Sequence, residues 1–179
     1  MKTTTILLFA LLISVSAFSQ QKHKTNELKL NMGTTIFVLY PEVSYERILN
    51  TDISVGASLG LGTSTEFHQD FNFTPYFRWF FGGNRDTMNK AGAGFFIEAN
   101  SSVFYRLDEK WSGYFNDKDD WEVTYSYERY FATGIGLGVG WKYVTKNNWV
   151  GELMVGGGRG FSDKKDSYPR IGLSIGRRF

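Results

Sequence analysis

From Leu28 onward, apolar and polar positions alternate along the chain, which is the period of a β-strand with two unlike faces. Between Asp52 and Gly62 the odd positions carry Ile53, Val55, Ala57, Leu59 and Leu61, while the even ones carry Asp52, Ser54, Gly56, Ser58, Gly60 and Gly62. One face is wholly apolar and the other small or polar. The same split recurs along the chain and predicts eight strands. The first sets Leu28, Leu30, Met32 and Ile36 against Lys29, Asn31, Gly33 and Thr35, and the second Val43 and Tyr45 against Glu42, Ser44 and Glu46. The fourth opposes Phe71, Phe73, Phe77 and Trp79 to Asn72, Thr74, Tyr76 and Arg78; the fifth opposes Phe95, Ile97 and Val103 to Glu98, Asn100 and Ser102. In the sixth, Phe131, Ile135, Leu137, Val139 and Trp141 face away from Gly134, Gly136, Gly138, Gly140 and Lys142. The seventh is less regular but still sets Leu153 and Val155 against Glu152 and Gly156, and the last sets Ile171, Leu173 and Ile175 against Arg170, Gly172, Ser174, Gly176 and Arg178.

Alternation alone does not say which face looks inward. Three further features do. The polar face is rich in Gly and Ser, as a narrow lumen demands, whereas a solvated face would carry more Lys and Glu. Aromatics gather at both ends of the strands: Trp79, Phe81, Trp141, Tyr143 and Trp149 at one, Tyr40, Phe71, Phe73, Tyr105, Tyr125 and Tyr168 at the other. Two interfacial belts produce that distribution. Finally, Phe179 closes an amphipathic strand, a pattern similar to the C-terminal signal of bacterial outer-membrane barrels. The expected fold is all-β, an eight-stranded antiparallel up-and-down transmembrane β-barrel over 28–179, monomeric and filled by side chains. A soluble secreted barrel is the lesser reading. An even strand number places both termini on the periplasmic side. Leu49–Asp52, Gly82–Lys90 and Thr145–Asn148 are then periplasmic turns, and Val38–Pro41, Thr63–Asp70, Leu107–Thr124 and Gly160–Tyr168 outer connections.

Composition narrows the class. The 179 residues include 20 Gly, 16 Phe, 10 Tyr and 5 Trp but only 3 Pro and no Cys, and mean hydropathy is negative. A helical membrane bundle, a disulfide scaffold and a thiolate metal site are excluded. A net charge of +2 gives no bulk surface for nucleic acid. At the N-terminus, Lys2, the apolar run Ile6–Val15 and Ala17-Phe18-Ser19 have the layout of a signal peptide cleaved after Ser19. Residues 20–27 then form a short periplasmic segment.

Four segments carry a resemblance: Glu42-Val43-Ser44-Tyr45-Glu46-Arg47, Thr74-Pro75-Tyr76-Phe77-Arg78-Trp79-Phe80-Phe81, Gly94-Phe95-Phe96-Ile97-Glu98, and the closing Pro169 to Phe179. Together they resemble a family of small outer-membrane β-barrel proteins from Bacteroidota to which no function is assigned, over nearly the whole mature chain. The Ala-Phe-Ser ending before Gln20-Gln21 is likewise similar to exported proteins of that phylum. The resemblance implies fold and outer-membrane location, and transfers no site residue.

The candidate chemistry lies inside the barrel and on one loop. Glu46, Arg78, Glu98 and Glu152 are the inward charges nearest mid-strand, with Lys29, Glu42, Arg106, Lys142, Arg170 and Arg178 expected nearer the rims. Buried charges pair, so the structural reading is a salt-bridge plug that closes the lumen. The functional reading is a proton or ion path, in a narrow channel or small-ligand carrier. Loop Leu107–Thr124 holds six acids against two lysines, together with Trp111, Tyr114, Phe115 and Trp121. Its aromatics, with Asp119 and Asp120, make a possible outer contact surface; the plainer reading is strand extension with a solvated tip. Asp117-Lys118-Asp119-Asp120 lacks the Gly and distal Glu of a calcium loop, and no metal or cofactor is expected. His68, with Ser64 and Glu66 nearby, is weighed as a rim hydrolase and set aside, since nothing in the spacing brings nucleophile, base and orienter together. The glycines of Gly134–Gly140 and Gly156–Gly160 precede no helix and form no phosphate loop; those of the first run are expected to leave room for Tyr76 or Phe96. The expected role is structural or surface-interacting, not enzymatic. The expected partners are outer-membrane lipid, lipopolysaccharide and, through the last strand, the barrel-assembly machinery.

Overall fold

The computed structural model describes residues 24–62, 69–81, 90–115, 121–161 and 167–179. Eight antiparallel strands run in chain order around a closed barrel: β1 Asn26–Asn31, β2 Glu42–Ile48, β3 Ile53–Leu61, β4 Gln69–Phe81, β5 Gly94–Phe115, β6 Trp121–Val144, β7 Trp149–Gly160 and β8 Ser167–Arg178. β1 closes the ring on β8, with Glu27 opposite Arg178 and Asn31 opposite Ser174. Each strand pairs with its chain neighbours, as an up-and-down order requires.

The two faces divide as the alternation predicts. Leu59, Phe77, Ile97, Leu137, Val155 and Ile171 point outward and are exposed, while Glu46, Ser54, Thr74, Arg78, Glu98 and Lys142 are buried in the lumen. Three small apolar clusters share that interior: Ala93, Val144 and Val150 near the terminal rim, Phe80, Phe96 and Met154 further in, and Phe104, Ala132 and Tyr168 toward the other rim. A residue with a side chain at position 140 would bring its Cβ to 2.5 Å from Phe96 Cζ, so the glycine there makes room for that ring. Tyr76 instead lies over Gly56, where a Cβ would meet its ring at 2.5 Å.

Several expectations change. The first strand stops at Asn31 instead of reaching Ile36, and Met32–Phe37 form a short helix, α1. The cause is local hydrogen bonding that competes with the sheet. Asn31 Oδ1 caps Thr34 N at 3.3 Å, and Thr35 Oγ1 donates to Asn31 O at 2.5 Å. Of the two readings of Leu107–Thr124, the plainer one holds for the strands, since β5 continues to Phe115 and β6 begins at Trp121. β4 follows β5 only as far as Arg106 and β7 follows β6 only from Gly134, so the outer parts of β5 and β6 form a two-stranded ribbon beyond the barrel. Tyr40 and Tyr168, expected in an outward belt, are buried. Trp79, Trp141, Tyr143 and Trp149 do stand outward around the terminal rim. At the β6–β7 turn, Asn148 takes the left-handed conformation at φ 64° and Thr145 N donates to Trp149 O at 2.8 Å, closing a tight hairpin.

Candidate functional site

The lumen holds one connected set of ionic side chains. Arg78, on β4, is its centre. Its Nε donates to Glu98 Oε2 at 2.8 Å, its Nη1 to Glu46 Oε2 at 2.8 Å, and its Nη1 and Nη2 fork onto the two oxygens of Glu152 at 2.8 Å each. The guanidinium carbon also lies 4.4 Å from the ring centroids of both Tyr76 and Phe96. A planar cation with five donors suits this position; the ammonium of a lysine has neither the fork nor the flat faces.

From Arg78 the set runs both ways. Toward the terminal rim, Lys29 Nζ bridges Glu46 at 2.5 Å and Glu152 at 2.6 Å, and Lys142 Nζ bridges Glu46 at 2.5 Å and Glu27 at 2.9 Å. Arg178 then binds Glu27 Oε1 through Nη2 at 2.5 Å. Toward the other rim, Arg170 Nε reaches Glu98 Oε1 at 2.5 Å and its Nη1 lies 3.3 Å from Glu42. Strand register explains part of this. Arg78 sits directly opposite Glu98, whereas Glu27 sits opposite Glu46, a like-charge pair that Lys142 resolves by binding both. Ser54 Oγ adds a donor to Glu46 at 2.5 Å. Among the described residues, no buried side-chain nitrogen or oxygen lacks a hydrogen-bond partner.

All four predicted mid-lumen residues, Glu46, Arg78, Glu98 and Glu152, are thus brought together. Lys29 and Lys142, expected near the rims, belong to the centre of the cluster, and the sequence reading missed Glu27 altogether. Parity puts all three on the inner face; their depth follows from the stagger between strands, which one sequence does not give. Of the contact-loop candidates, Trp121 has a described side chain. Trp121 is 56% exposed at the start of β6. Trp111, Tyr114 and Phe115 occupy the outer end of β5, where Phe115 pairs with Trp121, but their side chains, like that of Arg106, lie outside the described residues. So do Asp119 and Asp120, and so do Ser64, Glu66 and His68. Among the described residues, no group of His, Cys, Asp or Glu could hold a metal. Outside the strands, Lys90 donates to Asn148 Oδ1 at 3.1 Å and to the carbonyl of Thr145. Desolvation, with Arg178 and Lys24 adding repulsion, holds its ammonium below the ordinary lysine value.

No protein-family model matches the chain, and no curated protein matches it. Among solved structures it is similar to the N-terminal β-barrel domain of Pseudomonas aeruginosa OprF, with a TM-score of 0.59 and 16% identity over 89% of this chain and all of that one. At that identity the likeness speaks for the fold, the closed eight-stranded antiparallel barrel.

Proposed function

We propose that this chain is a small outer-membrane β-barrel with a structural or surface-interaction role, its lumen closed by the ion-pair cluster and carrying no catalytic group. The observation that carries the reading is the inverted distribution of side chains. Among the described residues, leucine, valine, isoleucine and aromatic side chains are exposed on the outside of β2 to β8, while carboxylates and cations lie buried inside. In water, that exterior is an apolar surface far larger than the few hundred Å² a soluble monomer exposes. In a bilayer it matches the acyl chains, and closure of the sheet pairs the strands across the hydrocarbon apart from residues 167–173 of β8 on their β1 side.

The OprF barrel likeness and the sequence resemblance to the small Bacteroidota family both support an outer-membrane location, reached through the signal segment. A non-enzymatic role is supported by Glu46, Glu98 and Glu152 each being bound to a cation, so that none is placed to take a substrate proton. Contacts to lipopolysaccharide and to partners outside the cell belong to the projecting β5–β6 ribbon, and those to the assembly machinery to β8.

Flotation tests this. Mature protein refolded from urea in the presence of liposomes should rise with the vesicles through a sucrose gradient and migrate faster on a gel before boiling than after. A folded, monodisperse protein in buffer without detergent or lipid would overturn the reading.

A further inference from the structure

The wall is not evenly paired. β8 follows β7 along its whole length to Ser167, but follows β1 only from Arg178 to Ser174. Residues 167–173 therefore have no strand on that side, because β1 has already ended at Asn31. The Asn31 side chain stands in for one. Its Nδ2 donates to Ile171 O at 3.1 Å and its Oδ1 accepts from Leu173 N at 3.2 Å. The next residue of the same parity is Pro169, which has no N–H to leave unpaired. Two backbone groups of this edge are thus met by a side chain, and a third N–H is absent.

α1 lies beside the break. None of its residues is buried, Phe37 is 83% exposed, and the following Leu39 is held in the left-handed region at φ 53°. A segment with little buried surface and a strained exit is the kind that moves first. A cavity of about 1110 Å³ spans the same place, part of it an open groove over the outward Phe95, Val139, Trp141, Leu153 and Val155 of the neighbouring strands. Its lining takes Tyr40, Ser102 and Arg170 from the lumen side, Ile171 and Leu173 from the outer face, and Phe37 from α1. That is large enough for a small-molecule ligand, whose sites run to roughly 300–1,000 Å³.

The outer half of the lining is continuous with the apolar band, so an occupant arrives from the bilayer and has an acyl chain. The inner half limits its head group. Among the described residues, five carboxylates, of Glu27, Glu42, Glu46, Glu98 and Glu152, are matched in the lumen by five cations, of Lys29, Arg78, Lys142, Arg170 and Arg178. A charged head would enter a balanced, buried cluster without a counter-ion. Tyr40 and Ser102, the latter hydrogen-bonded to Thr74 Oγ1, line this part with polar but uncharged groups.

We infer that α1 is a flap over a lateral opening between β1 and β8, through which the barrel takes the acyl chain of a single-chain amphiphile with an uncharged head, of the monoacylglycerol kind. The inference rests on the membrane reading above. The test uses the refolded mature protein in phosphatidylcholine liposomes with a monoacylglycerol carrying a diazirine in its chain; after irradiation the labelled residues are mapped. Label is expected on the inward Tyr40, Met154 or Tyr168 as well as on outward residues.

A second variant controls for entry. A Cβ on Gly33 would lie 3.5 Å from the Cβ of Leu173, within the range of about 3.5–4.5 Å that a disulfide spans, and the chain has no other cysteine. In a Gly33→Cys/Leu173→Cys protein, oxidation pins α1 to β8; inward labelling should fall several-fold and return on reduction. Label confined to outward residues in a barrel that floats with the liposomes would overturn the flap alone. So would inward label that is indifferent to the disulfide, while equal inward label from a fatty acid with the same diazirine would overturn the uncharged head. Failure to float at all would instead overturn the membrane reading.

Discussion

Arg78 is the residue on which the interior depends most. It alone touches Glu46, Glu98 and Glu152, and it fills the space between two aromatic rings. Substitution by methionine keeps much of the volume but strands carboxylates in a buried site, and removal of one partner from a buried ion pair costs about 3–5 kcal/mol. Lys29 and Lys142 still cover Glu46, and Arg170 still covers Glu98, so the loss should lie toward the lower end of that range. Urea titration of the refolded barrel should show Arg78→Met unfolding at clearly lower denaturant than the parent. Arg78→Lys should fall between, because it restores the charge but not the fork onto Glu152. A midpoint unchanged in Arg78→Met would mean that the cluster contributes nothing to the fold.

At the scale of the element, β6 is the informative strand. It has 24 residues, whereas a tilted strand crosses the hydrocarbon with about 9–11, so in the proposed outer-membrane setting more than half of it stands outside the bilayer. The pairing with β7, which begins at Gly134, says which half is inside. Leu137→Arg places a charge on the outward face of the paired half and should cost about 2–4 kcal/mol if that position is near the midplane. Val123→Arg makes the same change on the ribbon and should leave the urea midpoint in place. Equal sensitivity at both positions would refute this division of the strand. The division also marks how far the sequence could be read. Alternation from Phe131 to Trp141 placed every side chain of the paired half on its observed face, because that half has an exposed apolar side and a lumen side. Before Phe131 the ribbon has no such contrast: Tyr125 and Ser126 are both exposed, and the period-2 signal has nothing to act on. At β1 the failure is of a different kind. Met32 and Ile36 continue the apolar parity, but the Asn31 cap and the Thr35 hydroxyl satisfy the backbone locally and turn it into α1. The lumen charges were legible by parity, while their neighbours across the barrel, such as Lys142 with Glu27 and Glu46, depend on strand stagger.

For the whole molecule the question is whether the lumen conducts. The ionic cluster runs without interruption from Arg178, beside the terminal rim, through Glu27, Lys142, Glu46, Arg78 and Glu98 to Arg170 and Glu42 near the other. An ion crossing the barrel would have to displace at least one of these pairs in a site screened little by salt. Phe80, Phe96 and Met154 occupy part of the cross-section at the same level as Arg78, and Ala93, Val144 and Val150 close the terminal end with apolar groups. The intact protein should therefore be silent in planar bilayers in concentrated KCl at either polarity. Arg78→Ala removes the side chain that ties four strands together and uncovers oxygens of Glu98 and Glu152, so any openings it admits should favour cations. Glu98→Gln, which keeps the shape and removes the charge, should alter conductance less, because Arg78 retains Glu46 and Glu152. Steady current through the parent protein would show that the cluster does not block the lumen. Silence in both variants would assign the block to the aromatic and aliphatic side chains instead of the ion pairs.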